Sequence, residues 1–281
     1  MSVRLPSGVR ERDRREALYD GELFLCAATP ATLALAEWAW DRLVAAFPEA
    51  DPRDVQHAIA GGELFRRLTA VRRSILADPE VKPLVRACLG SLGFDLDGTY
   101  FDLLRLRAVP SGGHRDPAAR HAYVVHRDTW YANPEAQVNV WLAVRDVTAE
   151  EAFAIYPGYY GRPVRNSSER FSYPEWQALG GFQAPDDRKV YPGVEEALDE
   201  PGVRVPCRRG EALLFSGTHL HGTAGHDSGR TRLSLEVRTV HADDVVKIRE
   251  RRRLDNRSRG SALGDYFRAA DFAPYPPDGP V

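Results

Sequence analysis

The sequence lacks most of the features that mark secreted and membrane proteins. It has only three cysteines in 281 residues, Cys26, Cys88 and Cys207, and none of them belongs to a C-x-x-C pair. An odd number of scattered cysteines argues against a disulfide framework or a cysteine-rich zinc site, so we expect reduced and mostly buried thiols. The longest apolar stretch, residues 31–47, is interrupted by charged residues and is too short to span a bilayer.

Neither sign of charge dominates the chain. It carries 38 Lys and Arg against 40 Asp and Glu, a formal net charge of −2, so no overall field attracts nucleic acid or an acidic membrane. Residues 10–16, RERDRRE, are charged where the apolar core of a secretory signal would follow. We therefore predict a cytoplasmic protein that binds a small molecule and neither nucleic acid nor membrane. The sequence does not predict the oligomeric state.

Residues 1–98 read as a helical layer within one domain spanning 1–281. Helix starts are predicted where a capping side chain precedes proline, at Thr29-Pro30, Asp51-Pro52 and Asp78-Pro79. Gly61-Gly62 and Gly90 are predicted to end helices. The region holds no convergent cluster of polar residues, which indicates a supporting role.

From residue 99 the pattern changes to short β-strands bounded by Gly and Pro. The predicted strands are 99–109, 121–126, 136–144, 153–157, 203–205, 212–216 and 230–240. Strands of this length and spacing favour a β-sandwich or jelly roll over 99–245. Residues 158–202 interrupt the series and form a lid-like insertion with one short helix at 174–180.

The C-terminal tail, residues 246–281, carries a run of basic side chains. They are Lys247, Arg249, Arg251, Arg252, Arg253, Arg257 and Arg259. Because Glu250 and Asp255 are interspersed, we interpret this run as a solvated helix face and not as a nucleic-acid site.

The first chemical motif is His126-Arg127-Asp128. Residues two apart on an extended chain point to the same side, so a histidine nitrogen and a carboxylate oxygen can meet at one point. An H-x-D motif alone is weak evidence for a metal site, because it occurs by chance in many proteins. A second histidine is needed from elsewhere in the chain.

His221 is the candidate for that second histidine. Residues 224–229, AGHDSG, are strong turn material, and a hairpin centred between residues 226 and 227 would place His221 opposite Arg232. Ser234 would share that face. His219 is the rival ligand, and Arg230 or Arg238 are rivals of Arg232. A slip of one residue in the hairpin would break the argument.

Two histidines and one carboxylate on one face of a metal form the facial triad of non-haem iron(II) oxygenases. A nearby arginine suits a carboxylate ligand, which it binds through two charge-assisted hydrogen bonds. On these residues the sequence resembles the 2-oxoglutarate-dependent oxygenases, in their phytanoyl-CoA dioxygenase-like branch. The matching segments are HRDTWYANPEAQVNVWLAV (126–144), VTAEEAFAIYPGYYGRP (147–163), GEALLFSGTHLHG (210–222) and the R-x-S triplet at Arg232.

The resemblance implies a double-stranded β-helix, that is, a jelly roll, that binds Fe(II) through His126, Asp128 and His221. It implies 2-oxoglutarate held by Arg232 and Ser234, O₂ as co-substrate, and release of succinate and CO₂. Related halogenases lack the carboxylate ligand, so the presence of Asp128 favours hydroxylation, or another oxidation, of a small metabolite over halogenation. By analogy, the role would be in secondary metabolism.

Further side chains are predicted to line the site. Gln137 and Asn139 share a strand face and are predicted to bind the cofactor. Substrate contacts are predicted for Arg105, Trp130, Tyr131, Tyr159, Tyr160 and Arg162, with core packing as the alternative for Trp130 and Tyr131. The family's Pro-Gly-Ser-His turn reads Pro-Gly-Tyr-Tyr at 157–160, which would alter the substrate that fits. Two other functions stay open: a cupin-like metal enzyme that does not use 2-oxoglutarate, and a non-catalytic binding module.

Overall fold

The structure is a computed structural model that describes residues 3–6, 8–181, 190–252 and 254–276. Six α-helices are found in the described residues: α1 Glu11–Tyr19, α2 Pro30–Ala46, α3 Gly61–Ala77, α4 Val81–Ser91, α5 Tyr173–Ala178 and α6 Ala242–Arg252. Eleven strands accompany them: β1 Val3–Arg4, β2 Leu23–Cys26, β3 Thr99–Phe101, β4 Arg105–Val109, β5 Val138–Ala143, β6 Ala154–Ile155, β7 Val203–Arg204, β8 Ala212–Ser216, β9 His221–Gly222, β10 Arg232–His241 and β11 Phe267–Arg268.

The strands form two sheets that face each other. The major sheet has the order β1-β2-β8-β5-β10-β3-β11, with β4 also paired to β10, and the minor sheet has the order β7-β6-β9. Side chains of both sheets meet in the space between them. The ring centre of Phe153, next to β6, lies 5.3 Å from that of Trp141 in β5 and 5.4 Å from that of Phe215 in β8. This confirms the predicted architecture, a mainly β, jelly-roll core covered by N-terminal helices.

Strand β10 shows how the sequence divides the two faces of the major sheet. Successive side chains of a strand point to opposite sides. Leu233, Leu235 and Val237 are buried in the apolar core against the helical layer. The alternate positions 232, 234, 236 and 238 carry Arg, Ser, Glu and Arg and face the space between the sheets. One strand therefore supplies both core packing and a row of polar groups.

The helical layer agrees with the sequence prediction at the start at Thr29-Pro30, near the start at Asp78-Pro79 and near the stop at Gly90, where α4 spans Val81–Ser91, and it departs from the prediction elsewhere. Thr29 caps α2 with a reciprocal capping box, and proline occupies the first turn. The predicted start at Asp51-Pro52 is wrong, because only turns and a short 3₁₀ helix at Val55–His57 follow it. The predicted stop at Gly61-Gly62 is also wrong, since α3 begins there. Strand β2 was missed: it interrupts the helices to pair with β8.

The strand predicted at 121–126 is wrong over most of its length. Residues Pro117–Tyr123 form a 3₁₀ helix, and only His126 makes a β-bridge, with His221. The partner strand β9 is two residues long, so no ladder can extend along the apolar Val124 and Val125.

The C-terminal tail is part of the folded core. Strand β11 pairs with β3, and Tyr266 is buried. The interpretation of Asp255 as part of a solvated helix face is wrong: it lies beyond α6, accepts hydrogen bonds from Arg127 and Trp130, and is buried. The side chains of residues 249–252, and residue 253, lie outside the described part of the chain, as does Pro185 of the lid-like insertion.

Two expectations from composition concern the thiols and the membrane. Cys26, Cys88 and Cys207 are free and buried, and burial raises the pKa of the Cys88 and Cys207 thiols to about 12. Among the residues that the structure describes, none of the helices has both the length and the apolar character required to cross a bilayer.

Candidate active site

His126, Asp128 and His221 come together at one side of the space between the sheets. One ligand atom from each of the three lies within 4.8 Å of the others. The Nε2 atom of His126 is 3.8 Å from Asp128 Oδ1, and the Nε2 atom of His221 is 3.9 Å from Asp128 Oδ2. Separations of this size leave room for a metal ion bound to all three, since metal–ligand bonds to N and O are about 2.0–2.2 Å.

The main chain fixes both imidazole rings. His126 and His221 form an antiparallel bridge, with backbone N–H···O distances of 2.8 and 2.9 Å in the two directions. Nδ1 of His126 lies 2.8 Å from the carbonyl oxygen of Val124, and Nδ1 of His221 lies 2.9 Å from that of His219. Because a carbonyl only accepts, each ring carries its proton on Nδ1 and directs the lone pair of Nε2 at the site.

Asp128 is buried and receives three side-chain hydrogen bonds. Gln137 Nε2 and Asn139 Nδ2 donate to Oδ2 at 3.0 and 2.6 Å. Arg238 Nη2 donates to Oδ1 at 2.9 Å. The contacts of Gln137 and Asn139 are thus with the candidate ligand Asp128, while the role predicted for them, contact with the cofactor, stays a prediction.

The protonation states suit a metal site. Burial lowers the pKa of His126 to about 4, so its imidazole is neutral at neutral pH. Burial opposes ionisation of Asp128, but Arg238 and the two histidines outweigh it and hold the pKa of this carboxyl well below its usual range. A metal needs neutral imidazole and ionised carboxylate, and His126 and Asp128 meet these requirements.

Arg232 lines the same cavity at another point, and Ser234 lies two residues further along β10 on the same face of the strand. Both are buried, and the Nε of Arg232 and the Oγ of Ser234 have no hydrogen-bond partner among the described residues. Within the described part of the chain, the guanidinium donates one long hydrogen bond, 3.4 Å, from Nη1 to the carbonyl oxygen of Glu151. Burial lowers the pKa of Arg232 to about 10, which still leaves it charged at neutral pH. Buried donors without acceptors are unfavourable, so this pair has hydrogen-bonding capacity that the described residues do not use.

The hairpin register predicted from the sequence is wrong. His221 pairs with Ile155 and bridges His126 in the minor sheet, whereas Arg232 pairs with Val109 of β4 in the major sheet. The two residues still line one cavity of about 210 Å³, because the two sheets face each other. The prediction paired residues within one sheet, and the fold brings them together across two.

The rival residues are placed elsewhere. His219 is fully buried, and its ring nitrogens are both 3.2 Å from backbone carbonyls, of Ser216 and Gly21. Arg230 faces Asp54 at the surface. Arg238 pairs with Asp128 and lies 3.6 Å from Glu236, so it contacts the candidate metal ligand directly.

A chain of charged side chains on the cavity face was missed from the sequence. Arg107 Nε donates to Glu236 Oε2 at 3.2 Å. Glu236 in turn lies beside Arg238, and Arg238 donates to Asp128. Burial works against the ionised form of Glu236, but Arg107 and Arg238 lower its pKa to about 2. The signal was present in the sequence, since Arg, Ser, Glu and Arg alternate with apolar residues along β10.

The six predicted substrate contacts divide into two groups. Arg105 and Tyr131 line the cavity. Arg105 also forms an ion pair with Asp102, with Nη1 2.6 Å from Oδ2. Trp130 is fully buried in an apolar cluster with Tyr159 and donates to Asp255, which corresponds to the core-packing alternative. Tyr160 packs on the ring of His219 and Arg162 lies over the ring of Tyr159. The two tyrosines of the altered Pro-Gly-Tyr-Tyr turn, Tyr159 and Tyr160, do not line the described cavity.

Aromatic rings form one wall of the cavity. The ring of Tyr131 contacts the rings of His126 and Phe171 edge-on, with ring centres 5.2 and 5.4 Å apart. Trp176 continues the row, and its ring centre is 6.4 Å from that of Phe171. Tyr173 stacks against Trp176 at 5.7 Å. Three of these rings come from residues 171–176 of the segment predicted as a lid-like insertion, and its movement as a lid stays a prediction.

Comparison with protein families gives a match over residues 26–234 to phytanoyl-CoA dioxygenase (PhyH). The matched region is well over half of the chain and contains the three candidate ligands with Arg232 and Ser234. The chain belongs to the phytanoyl-CoA dioxygenase family. This confirms the resemblance read from the sequence, and it places the protein among enzymes with a non-haem metal site of this kind. Arg238, Asp255 and Tyr266 lie beyond the matched residues.

Similar solved structures include EvdO2 from Micromonospora carbonacea var. aurantiaca complexed with 2-oxoglutarate, at 15% identity, covering 84% of this chain and 92% of that chain, with a TM-score of 0.49. The epimerase SnoN in complex with Fe³⁺, alpha ketoglutarate and nogalamycin RO has 19% identity, covers 82% and 85% of the two chains and has a TM-score of 0.40. EctD from S. alaskensis has 14% identity, covers 92% and 84%, and has a TM-score of 0.43. Comparison with curated proteins gave no match.

Proposed function

We propose that this protein is an Fe(II)- and 2-oxoglutarate-dependent dioxygenase that hydroxylates a C–H bond of a small metabolite. The observation that carries the proposal is one cavity with two complementary ends. His126, Asp128 and His221 form its metal end, and the unpartnered donors of Arg232 and Ser234 form its anion end. A ligand that chelates a metal at one terminus and presents a carboxylate at the other fits both ends.

The metal end suits Fe(II). Two neutral imidazoles and one ionised carboxylate are the ligand set of non-haem Fe(II) oxygenases, and they leave coordination positions open. Bound there, iron with O₂ and 2-oxoglutarate would supply the oxidising power, with succinate and CO₂ as by-products. The protein's own contribution is to hold the two Nε2 lone pairs and the Asp128 carboxylate in place before the metal arrives.

The anion end suits the second carboxylate of 2-oxoglutarate. A guanidinium and a hydroxyl together can give that carboxylate up to three hydrogen bonds, of which those from arginine are charge-assisted. Trp141 lies beside Arg232, with its ring centre 6.0 Å from the guanidinium carbon, and Phe153 and Phe215 close the apolar surroundings. The low local dielectric strengthens the attraction between the guanidinium and a carboxylate.

This arrangement weighs against the two other functions. A cupin-like enzyme that does not use 2-oxoglutarate has no need for a buried, unpaired arginine and serine facing the metal. A non-catalytic module gains nothing from three ligands supported by a dedicated set of hydrogen bonds. The anion end therefore favours the 2-oxoglutarate-dependent function over both.

The aromatic wall bears on the substrate. The rings of Tyr131, Phe171 and Trp176 form a row that begins at His126 and offers an apolar surface to a ligand. The hydroxyl of Tyr131 is bonded to the carbonyl oxygen of Pro192, so this tyrosine presents its ring. We infer a small molecule with an apolar or cyclic portion as the substrate class.

The test is an anaerobic titration of Fe(II)-loaded protein with 2-oxoglutarate, followed by the weak visible charge-transfer band of the chelate. We expect a saturable band in the wild type and a much weaker affinity in Arg232→Ala. Arg230→Ala is the matched control, because Arg230 is two residues away but faces Asp54 at the surface. Absence of the band in protein that holds one iron per chain would reject the use of 2-oxoglutarate.

A further inference from the structure

Two arginines of β4 face the same cavity as the metal ligands. Arg105 and Arg107 lie two residues apart on the strand, so their side chains share one face, and both line the cavity. In the pairing with β10, Arg107 lies opposite Ser234 and Arg105 lies opposite Glu236. Strand β5 pairs with the other edge of β10. The two arginines therefore form a basic row on the side of β10 away from β5.

Each arginine has a carboxylate partner and further donors without one. Arg107 donates from Nε and Nη2 to Glu236, at 3.2 and 3.4 Å, and its Nη1 has no partner among the described residues. Arg105 donates from Nη1 alone, to Asp102 at 2.6 Å and to the carbonyl oxygen of Leu103 at 2.9 Å. Its Nε and Nη2 are the same two donors with which Arg107 binds a carboxylate. In the described part of the chain, this pair of donors is unused in Arg105.

The acidic side chains beside the basic row are already bonded. Glu236 and Asp102 each accept from one of the two arginines, and Asp265 accepts from the hydroxyl of Tyr173. The Arg105 side chain is 19% exposed although its partner Asp102 is buried, so its free donors can be reached from the cavity. Unused cationic donors next to carboxylates that are already bonded suit an anionic group, not an amine.

The aromatic wall lies within electrostatic range of the basic row. Burial raises the pKa of Tyr131 and of Tyr173, and the positive charges of Arg107 and Arg105, respectively, act in the opposite sense. The ring of Tyr131 also contacts that of His126, with ring centres 5.2 Å apart. One small molecule can therefore place an apolar ring on the wall, beside a metal ligand, and an acidic group on the arginines.

We propose that the substrate is a carboxylic acid with an aromatic or other cyclic portion, and that Arg105, assisted by Arg107, binds its carboxylate. This rests on the proposed function, in which Arg232 and Ser234 bind 2-oxoglutarate instead. The planar guanidinium matches a carboxylate through two parallel charge-assisted hydrogen bonds, for which Nε and Nη2 of Arg105 are available. The ion pair with Asp102 holds this arginine in place before the ligand arrives.

The experiment measures whether the loaded protein prefers acids to matched amides. Protein saturated with Fe(II) and 2-oxoglutarate is titrated in a calorimeter, without oxygen, with benzoate, phenylacetate and 3-phenylpropanoate and with the amide of each. Saturating 2-oxoglutarate occupies Arg232, so the probe carboxylate cannot bind there. We expect at least one acid to bind about tenfold or more tightly than its amide, because charge-assisted hydrogen bonds are the stronger ones.

Arg105→Gln removes the charge and the free pair of donors, while its amide can still donate to Asp102. We expect the preference for the acid to fall below about threefold, with the amide affinity and the Kd for 2-oxoglutarate each within about threefold of wild type. Arg105→Lys keeps the charge without the planar fork and should retain part of the preference. The matched control is Arg115→Gln, because Arg115 also pairs with a carboxylate, that of Asp227, but lies at the surface outside the cavity.

Three results would overturn the proposal. One is wild-type protein that binds acids no better than amides at all three chain lengths, and another is Arg105→Gln protein that keeps the full preference. The third is a weaker affinity for 2-oxoglutarate in Arg105→Gln with the acid preference intact, since Arg105 would then belong to the anion end. If Arg105→Gln does not fold, the same ratio measured in Arg105→Lys decides, and an undiminished preference there rejects the proposal.

Failure of the proposed function can be told apart from failure of this proposal. Absence of the 2-oxoglutarate band in iron-loaded wild type would reject the former. The acid preference is then measured in Fe(II)-loaded Arg232→Met, where the anion end cannot bind the probe. A preference that persists in Arg232→Met and is lost when Arg105→Gln is added supports an acid site at Arg105, whereas a preference lost in Arg232→Met alone rejects it.

Discussion

The two ends of the cavity differ in how far the protein satisfies its own polar groups. At the metal end, Asp128 accepts from three side chains, and both histidines are fixed by backbone carbonyls. At the anion end, Arg232 Nε and Ser234 Oγ are buried without a partner in the described structure. Both ends lie on the same cavity, and strand β10 contributes to each.

On the proposed function, this difference follows from what each end would bind. A metal site must hold its ligands in place, so the protein supplies all the supporting hydrogen bonds itself. An anion site must keep donors available, so the protein leaves them unmatched and accepts a loss of stability. We expect substitutions at the two ends to have opposite effects on folding, although both impair binding of the co-substrate.

The largest effect is expected for Asp128→Ala. The substitution removes the acceptor of three buried donors, one of them the charged Arg238, so we expect the free energy of unfolding to fall by about 3–5 kcal/mol. Metal binding should also be lost. Urea unfolding of the metal-free protein and a metal titration measure the two effects. An unchanged unfolding free energy would show that the metal end is not pre-arranged as described.

Arg232→Met should separate stability from binding. The methionine keeps much of the volume and removes an unpaired buried charge, so the unfolding free energy of the metal-free protein should stay the same or rise. The affinity for 2-oxoglutarate should fall by about 100-fold, which corresponds to the loss of charge-assisted hydrogen bonds worth about 1.5–3 kcal/mol each. Marked destabilisation would mean that Arg232 has a structural partner and would end the contrast between the two ends.

Ser234→Ala is the smaller substitution at the same end. Loss of one neutral donor, worth about 1 kcal/mol, should raise the Kd for 2-oxoglutarate about fivefold. Stability of the metal-free protein should not fall, because the hydroxyl is buried without a partner. A titration of Fe(II)-loaded Ser234→Ala measures the first quantity, and urea unfolding the second. Equal 2-oxoglutarate affinities in wild type and variant would remove Ser234 from the anion end.

Binding of glutarate is the smallest of the expected effects. It tests the anion end of the cavity separately from the metal end. It has the two carboxylates of 2-oxoglutarate but lacks the keto group that completes a metal chelate. We expect weak binding that competes with 2-oxoglutarate, depends little on the metal and disappears in Arg232→Met. A thermal-shift series with and without metal measures this. Binding that requires the metal and ignores residue 232 would place the carboxylate elsewhere.

The sequence predicted that His126, Asp128 and His221 come together, because its signals there are local. His126 and Asp128 lie two residues apart on nearly extended chain, and a histidine after a strand completed the motif. The β-rich region, the helical layer and the free cysteines were also predictable from composition and periodicity. Helix boundaries near Asp51 and Gly61 were wrong, since turns and a short 3₁₀ helix follow Asp51 and α3 begins at Gly61.

The supporting residues could not be predicted from sequence. Tyr266 reaches Gln137 from the C-terminal tail, and Asp255 reaches Arg127 and Trp130 from the same tail. These contacts join residues more than a hundred positions apart, and no periodicity reports them. The predicted pairing of His221 with Arg232 failed for a related reason, since it assumed one hairpin where the chain crosses between two sheets.

The most direct test of the two-ended cavity is a crystal structure determined without oxygen in the presence of Fe(II) and 2-oxoglutarate. We expect iron bound by the Nε2 atoms of His126 and His221 and by the Asp128 carboxylate, and the distal carboxylate of 2-oxoglutarate bound by Arg232 and Ser234. A metal-bound structure in which that carboxylate contacts another cation, and Arg232 stays without a ligand, would contradict it.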